Sequence, residues 1–346
     1  MMLFSRNKYT TFEQRQNMKL AIIGCTGLVG NVILDVLNEF SLPITEIILI
    51  ASKKSIGKKI VFRNEELTII SIEESLIRKP DIAIFSAGSS ISEKWALKFA
   101  DIGTNVIDNS SFFRMDKTIP LIVPEINANE IKKSHKIIAN PNCSTIQMVV
   151  ALNNIHKKFG LKRLVISTYQ SVSGTGAAAV KQMNDERAGV IVEKIYPHQI
   201  DQNCFPHGGN FLETGYTSEE IKLIKETQKI FNDYKIKITA TVVRIPVIGG
   251  HCESVNIETH KSFQMNEIIE SLKNSSGVKI QDNPSKFDYP MPITAHHKND
   301  VFVGRIRRDE TVKNGINLWI VADNLRKGAA TNAVQIADHI IKNNLL

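Results

Sequence analysis

Through the first part of the chain, short uninterrupted apolar runs alternate with stretches in which apolar residues recur every third or fourth position. Runs of the first kind suit strands buried on both faces, and the second spacing suits helices with one apolar stripe. Strands are expected at 19–23, 46–50, 81–85, 105–108 and 136–139, with a brief apolar run at 121–123 before Pro124. Between them, Val29, Val32, Ile33, Val36, Leu37 and Phe40 mark one helix, and another runs through Phe99. This alternation predicts an α/β fold with a doubly wound, Rossmann-type parallel sheet.

The pattern changes after Cys143. Ile146, Val149, Val150, Leu152 and Ile155 suit a helix, followed by a strand at 164–169 and a glycine-rich loop from Gln170 to Gly176. Residues 190–217 carry much Gly, Pro, His and Asn and read as an irregular excursion. Ser218-Glu219-Glu220 opens a helix over 218–231. Strands then follow at 237–245, 253–259, 301–307 and 316–322, with a Gly249-Gly250-His251 loop between the first two. Long strands with few helices predict a second, α+β domain with a mixed or antiparallel sheet. A last helix over 328–341 is expected to return to the first domain. The expected division is 18–141 with 325–346 as one domain, 142–324 as the other, and 1–17 as a polar, aperiodic tail.

Composition narrows the function. The 346 residues are 42% hydrophobic and 23% charged, ordinary for a globular chain. Cys25, Cys143, Cys204 and Cys252 form no Cys-x-x-Cys pair, so neither a disulfide framework nor a metal centre is expected, and a reducing, cytoplasmic setting fits. The net charge of +8 is dispersed among acids and accompanied by few aromatics, which favours anionic small molecules over nucleic acid. No apolar run reaches the length of a membrane span.

Candidate chemistry sits at the expected strand ends. Gly24-Cys25-Thr26-Gly27-Leu28-Val29-Gly30 joins the first strand to the first helix, a glycine turn that lets a pyrophosphate approach the backbone at a helix N-terminus. After the second strand, Ser52, Lys54 and Ser55 stand where an acid would receive a ribose 2′-hydroxyl; lysines flanked by serines suit a 2′-phosphate, so NADP is favoured over NAD. Ser86, Ala87 and Gly88 are small enough to line the cofactor phosphates. Asn140-Pro141-Asn142 forms a rigid turn that puts Cys143 at or near a helix start, where free N–H groups and the helix dipole favour a thiolate.

Taken together, the ordered motifs resemble those of the aspartate-semialdehyde dehydrogenase family. They are Gly-x-Thr-Gly-x-Val-Gly at 24–30, Asp108-Asn109-Ser110-Ser111 with Arg114, and Pro141-Asn142-Cys143-Ser144-Thr145. Further on come Gln170 with Ser-Val-Ser-Gly-Thr-Gly, Glu219-Glu220-x-Lys222, Arg244-Ile245-Pro246 with His251, and Asp323-Asn324-Leu325 with Gly328-Ala329-Ala330. The resemblance runs from about Met18 onward. It implies NADPH-dependent reductive dephosphorylation of β-aspartyl phosphate to aspartate semialdehyde through a thioester on Cys143, serving lysine, threonine, methionine and diaminopimelate biosynthesis.

By the same resemblance, His251 would take the thiol proton or protonate the oxyanion, and Gln170 would orient the reacting groups. Arg244 would clamp the α-carboxylate, Glu220 the α-amino group, and Arg114 with Lys222 the phosphate. Ser173, Gly174 and Asn324 would complete the cofactor site, and the chain would form a homodimer. Lys54 stands where many relatives carry arginine, which leaves strictness for NADP open. Two other readings remain: an N-acetyl-γ-glutamyl-phosphate reductase, whose cysteine usually lies in Pro-Gly-Cys-Tyr, and a catalytically inactive NADP-binding relative.

Overall fold

A computed structural model describes residues 18–191 and 193–346; the expected tail at 1–17 lies outside the described residues. The chain runs β1 (Met18–Ile23), α1 (Leu28–Glu39), β2 (Ile44–Ile50), the hairpin β3 (Lys59–Phe62) and β4 (Glu65–Thr68), and α2 (Ile72–Arg78). Next come β5 (Ile82–Phe85), α3 (Ser89–Asp101), β6 (Asn105–Asp108), α4 (Pro124–Asn127) and β7 (Ile137–Ala139). Then follow α5 (Cys143–Phe159), β8 (Leu161–Ser171), α6 (Ala177–Arg187), α7 (Ser218–Phe231), β9 (Lys237–Ile245) and β10 (His251–Thr259). The remainder is α8 (Met265–Lys273), β11 (Val278–Ile280), α9 (Pro292–Ala295), β12 (Val301–Asp309), β13 (Gly315–Ala322) and α10 (Thr331–Lys342).

The architecture is the expected one. Five parallel strands in the order β2-β1-β5-β6-β7 make the first sheet. The order reverses at β1 and β5, so their carboxyl ends open a crevice of the kind that holds nucleotides. Six strands, β11-β12-β13-β10-β8-β9, make a mixed second sheet, parallel at its two edges and antiparallel within. One apolar core packs α1 and α10 against the first sheet, which is where the last helix was expected to return. The other core covers the opposite face of that sheet and continues through α5, α7 and α8 to the second sheet. Helix α5 joins the two layers, and its first residue is Cys143.

Two glycines fix how closely the first turn packs. Gly24 has φ +95°, and a Cβ there would come within 2.4 Å of the Ser86 carbonyl oxygen; one on Gly30 would come within 2.2 Å of the Gly24 carbonyl oxygen. Only hydrogen fits at either place, so α1 can lie directly on the crevice.

Several element bounds differ from expectation. The run at 121–123 supplies a single bridge, Leu121 to Ala139, because Pro124 starts a helix directly after it. Strand β10 begins at His251 rather than at Glu253, since His251 pairs with Ala322 of β13. The last helix is divided: a π-helical turn, Arg326–Ala330, precedes α10.

Candidate functional site

Helix α5 is capped by Asn142, whose side-chain oxygen accepts from the Ser144 and Thr145 N–H groups at 3.0 and 3.4 Å. The Asn142 N–H donates to Glu226 Oε2 at 2.7 Å, and its side-chain amide donates to Glu219 Oε1. The turn ahead of Cys143 is therefore held from α7 as well as by its own sequence. Cys143 itself is half-buried. Its thiol is pushed up to about 11, first by burial and then by the Glu219 carboxylate, while Arg244, Arg114 and the Ser144 N–H pull the other way. The thiolate expected from the helix terminus is thus not the resting form: loss of hydration outweighs the N–H groups.

His251 is fully buried. Its Nδ1 accepts from the Ser171 N–H at 3.0 Å, so the neutral ring carries its proton on Nε2, the edge that lies against Gly174. Burial, then the neighbouring Arg244 charge, pushes it down to about 3, so the ring is neutral. With Nδ1 occupied, His251 presents its Nε2–H to the cleft, the arrangement of a hydrogen-bond donor to the oxyanion, the second of the two roles expected for it. Gln170 is buried and its Nε2 donates to Ser144 Oγ at 2.9 Å, next to Cys143. Arg244 Nη1 donates to the Ser171 carbonyl at 2.6 Å, and Nε has no protein partner.

Helix α7 corrects one assignment. Glu220 is buried and accepts from two backbone N–H groups, Thr217 at 2.6 Å and Val242 at 2.9 Å. It completes the helix's capping box and cannot reach the cleft. Its neighbour Glu219 does line the cleft, paired with Lys222 Nζ at 2.7 Å. Glu220 lies three residues before the buried Leu223 and seven before the buried Thr227, a spacing that marks the inward face. That signal was present in the sequence. Arg114 is buried with each nitrogen engaged: Nε to the Asn140 carbonyl, Nη2 to the Asn109 carbonyl, and Nη1 to Glu226 Oε1 at 3.1 Å.

These side chains share one cleft of about 490 Å³ between the two sheets. Cys143, Gln170, Arg244, His251, Arg114 and Lys222 line it, as do Gly27, Leu28, Val29, Ser86, Gly88, Ser173, Gly174 and Asn324. Ser173 Oγ donates to Asn324 Oδ1 at 3.1 Å, closing the cleft wall from the second sheet to the segment before α10. A second hollow of about 310 Å³ adjoins it, bounded by Gly24, Ala51, Ser52, Lys53, Ala87, Ile91, Lys94 and Trp95. Its apolar floor and polar rim suit a nucleoside. Lys54 and Ser55, expected here, lie beyond its lining. They belong to the single 3₁₀ turn Lys53–Ser55, whose successive side chains splay apart and leave Lys53 on the hollow. Thr26 sits exposed at the tip of the glycine turn, and Gly30 is buried beneath it, so neither lines a cavity. Among the described residues, no helix is long and apolar enough to cross a membrane.

The chain as a whole is similar to known proteins. Residues 19–134 match the family model for the semialdehyde dehydrogenase NAD binding domain, and 152–327 match that for the semialdehyde dehydrogenase dimerisation domain. An aspartate-semialdehyde dehydrogenase of Aquifex aeolicus is 50% identical over 337 residues, 95% of this chain and 99% of that protein. One from Bacillus subtilis is 44% identical, covering 96% of this chain and 99% of its own. The crystal structure of aspartate semialdehyde dehydrogenase II from Vibrio cholerae, complexed with ASA, superposes with a TM-score of 0.91 at 43% identity, covering 95% of this chain and 99% of that one. Identity of 44–50% over nearly the whole chain, with family models matched over 19–134 and 152–327, places the chain in the aspartate-semialdehyde dehydrogenase family.

Proposed function

We propose that the protein catalyses the reversible NADPH-dependent reductive dephosphorylation of β-aspartyl phosphate to L-aspartate 4-semialdehyde, through a thioester on Cys143. The observation that carries this reading is the convergence of Cys143, Gln170, Arg244, His251, Glu219 and Lys222 on one cleft beside the nucleotide crevice. In the first half-reaction the Cys143 sulfur forms a bond to the acyl carbon, and the acyl–oxygen bond to phosphate breaks. Because the thiol is protonated at rest, its proton leaves with the phosphate dianion, whose basic oxygens can accept it. Lys222 and Arg114 offer positive charge to that leaving group. Arg244 holds the α-carboxylate with its fork, and Glu219, rather than Glu220, receives the α-ammonium.

The residues fit a bound nicotinamide dinucleotide. The glycine turn leaves the backbone of 24–30 open to a pyrophosphate, and no acid ends β2 to claim a 2′-hydroxyl. Ser52, Lys53 and Lys94 line the hollow together with Glu73, and the two lysines against one acid favour NADP. When bound, the cofactor would supply the hydride that reduces the thioester carbon. His251, through its Nε2–H, would donate a hydrogen bond to the oxyanion left on the reduced carbon; as the carbon–oxygen double bond re-forms the C–S bond breaks, the aldehyde leaves, and the departing Cys143 thiolate takes up a proton from solvent. The match to a dimerisation domain over 152–327 supports a homodimer. We assign 18–141 with 325–346 to cofactor binding and 142–324 to catalysis and dimerisation. Biosynthesis of lysine, threonine, methionine and diaminopimelate would draw on the product, and the free cysteines fit a cytoplasmic setting.

The test follows absorbance of NADPH formed from NADP⁺, phosphate and aspartate semialdehyde, with N-acetylglutamate semialdehyde as the competing substrate and Cys143→Ser as control. Turnover of the first substrate only, abolished in the control, is expected. Turnover of the second only would overturn the assignment.

A further inference from the structure

Between α5 and the second sheet lies a buried polar group that the chemistry above does not use. Glu253 on β10 is fully buried, and neither carboxyl oxygen makes a hydrogen bond of ordinary geometry. Across the sheet it faces Thr168 of β8 and Ile320 of β13. From α5 the side chains acting on it are Gln147 and Ser144. Gln147 Oε1 and Thr168 Oγ1 are likewise buried without partners. None of these neighbours carries charge. The titratable groups beside it on β10 are uncharged too: Cys252, whose thiol is pushed up to about 12, and His251, pushed down to about 3.

An ionised carboxylate enclosed in this way, with no cation, is unfavourable enough that the group takes up a proton instead. Burial indeed drives the Glu253 carboxyl well above the usual range, against the smaller opposing influence of Gln147 and Ser144. A neutral acid supplies one O–H donor and one carbonyl acceptor, which is what the orphaned atoms around it lack. Its two α5 neighbours both touch the site. Ser144 Oγ accepts from Gln170 Nε2 at 2.9 Å, leaving the serine proton free for an acceptor, and Gln147 Nε2 donates to the His251 carbonyl at 3.3 Å.

We propose that Glu253 is a positioning residue for the reaction, a neutral carboxylic acid that ties Ser144 and Gln147 to the sheet and so sets the orientation of Gln170 in the cleft with Cys143. The proposal rests on the functional reading given above. Full-length Glu253→Gln and Glu253→Ala enzymes test it. The amide keeps a donor and an acceptor in the same volume, so Glu253→Gln is expected to hold kcat within about threefold of the parent, with an unchanged pH profile near neutrality. Glu253→Ala is expected to lower kcat about 100-fold with little change in KM for aspartate semialdehyde, as misplacement of a catalytic group does. Infrared difference spectra between the parent and Glu253→Gln should show the carbonyl band of a neutral carboxyl group at neutral pH.

Absence of that band, a Glu253→Gln enzyme as impaired as Glu253→Ala, or a fully active Glu253→Ala enzyme would each overturn the proposal. Should Glu253→Ala fail to fold, the amide variant and the infrared band decide it. The band does not depend on turnover, so an unsubstituted protein that shows it yet leaves aspartate semialdehyde untouched would count against the reaction and not against a neutral Glu253.

Discussion

At Cys143, burial and a nearby carboxylate outweigh the helix terminus. Glu219 is the largest charge acting to keep the sulfur protonated, with Arg244 and Arg114 opposing it. Removing the Glu219 charge lowers the thiol pKa and enlarges the thiolate fraction at neutral pH. Alkylation by iodoacetamide, read peptide by peptide so that the exposed Cys204 is scored separately, should therefore be slow at Cys143 in the free enzyme. It should climb about tenfold per pH unit as pH rises toward about 11, because only the thiolate reacts. Glu219→Gln should accelerate it at neutral pH, and a slower reaction would reverse the sign assigned here. An α-ammonium group seated on Glu219 would act in the same direction as the substitution, so arrival of substrate itself would favour a reactive sulfur. That Cys143, His251 and Arg244 would share one cleft was legible from their motifs. Their protonation states were not, since those depend on which side chains enclose them after folding.

Helix α7 separates two adjacent glutamates by direction alone. Glu219→Gln is expected to raise KM for aspartate semialdehyde about tenfold or more, because a hydrogen bond to a charged group is worth about 1.5–3 kcal/mol, and to cost less stability than loss of Glu220, since the amide oxygen still accepts from Asn142. Glu220→Ala should do the reverse. It strips the capping box and leaves the buried Thr217 and Val242 N–H groups unsatisfied, costing roughly 1–3 kcal/mol on denaturant unfolding with KM preserved. Equal effects from the two substitutions would show the helix phase to be wrong.

Elements whose pattern was strong were readable: β6 and β9 occur where their apolar runs put them, and α7 where its acidic first turn and periodicity put it. The hairpin β3–β4, α2, α8 and the short β11 went unread. Glu65, Glu66 and Lys59 leave the hairpin with hardly a buried side chain, and β11 is only three residues long, so neither declares itself in sequence. That Lys54 stands outside the hollow's lining went unread for a related reason. A three-residue turn gives no periodicity from which to tell which of its two exposed lysines borders the hollow.

At the scale of the whole molecule, a buried charge pair ties the returning C-terminal segment to α4. Lys327 has 1% of its side chain exposed and bonds both Glu125 oxygens at 2.8 Å, Asn332 at 3.0 Å and Gln335 at 2.7 Å. Burial alone would raise the Glu125 carboxyl, but the Lys327 charge and its hydrogen bond, with help from Gln335, hold it below its ordinary value. Lys327→Met leaves that carboxylate enclosed and unpaired, at a cost of about 3–5 kcal/mol measurable by denaturant unfolding. The Lys327→Met/Glu125→Gln pair should recover much of the loss, and failure to do so would mean that the lysine acts through packing alone. Because Glu125 is depressed in the folded state, the stability it lends is complete above the ordinary carboxylate range. It disappears as pH falls through the lowered value. Glu125→Gln should accordingly flatten the acid limb of the stability profile.

Helix α10 lies in the same apolar core as α1 and β1, yet roughly 190 residues of chain intervene between β7 and its first residue. At about 5–20 residues per second on the ribosome, the nucleotide sheet stands for some 10–40 s with one flank covered by α1 alone. Ile22, Ile84 and Ile138, which end up entirely sealed, would face water or a chaperone for that interval. The nascent protein is thus most vulnerable to aggregation late in its synthesis, when most of its fold is already built.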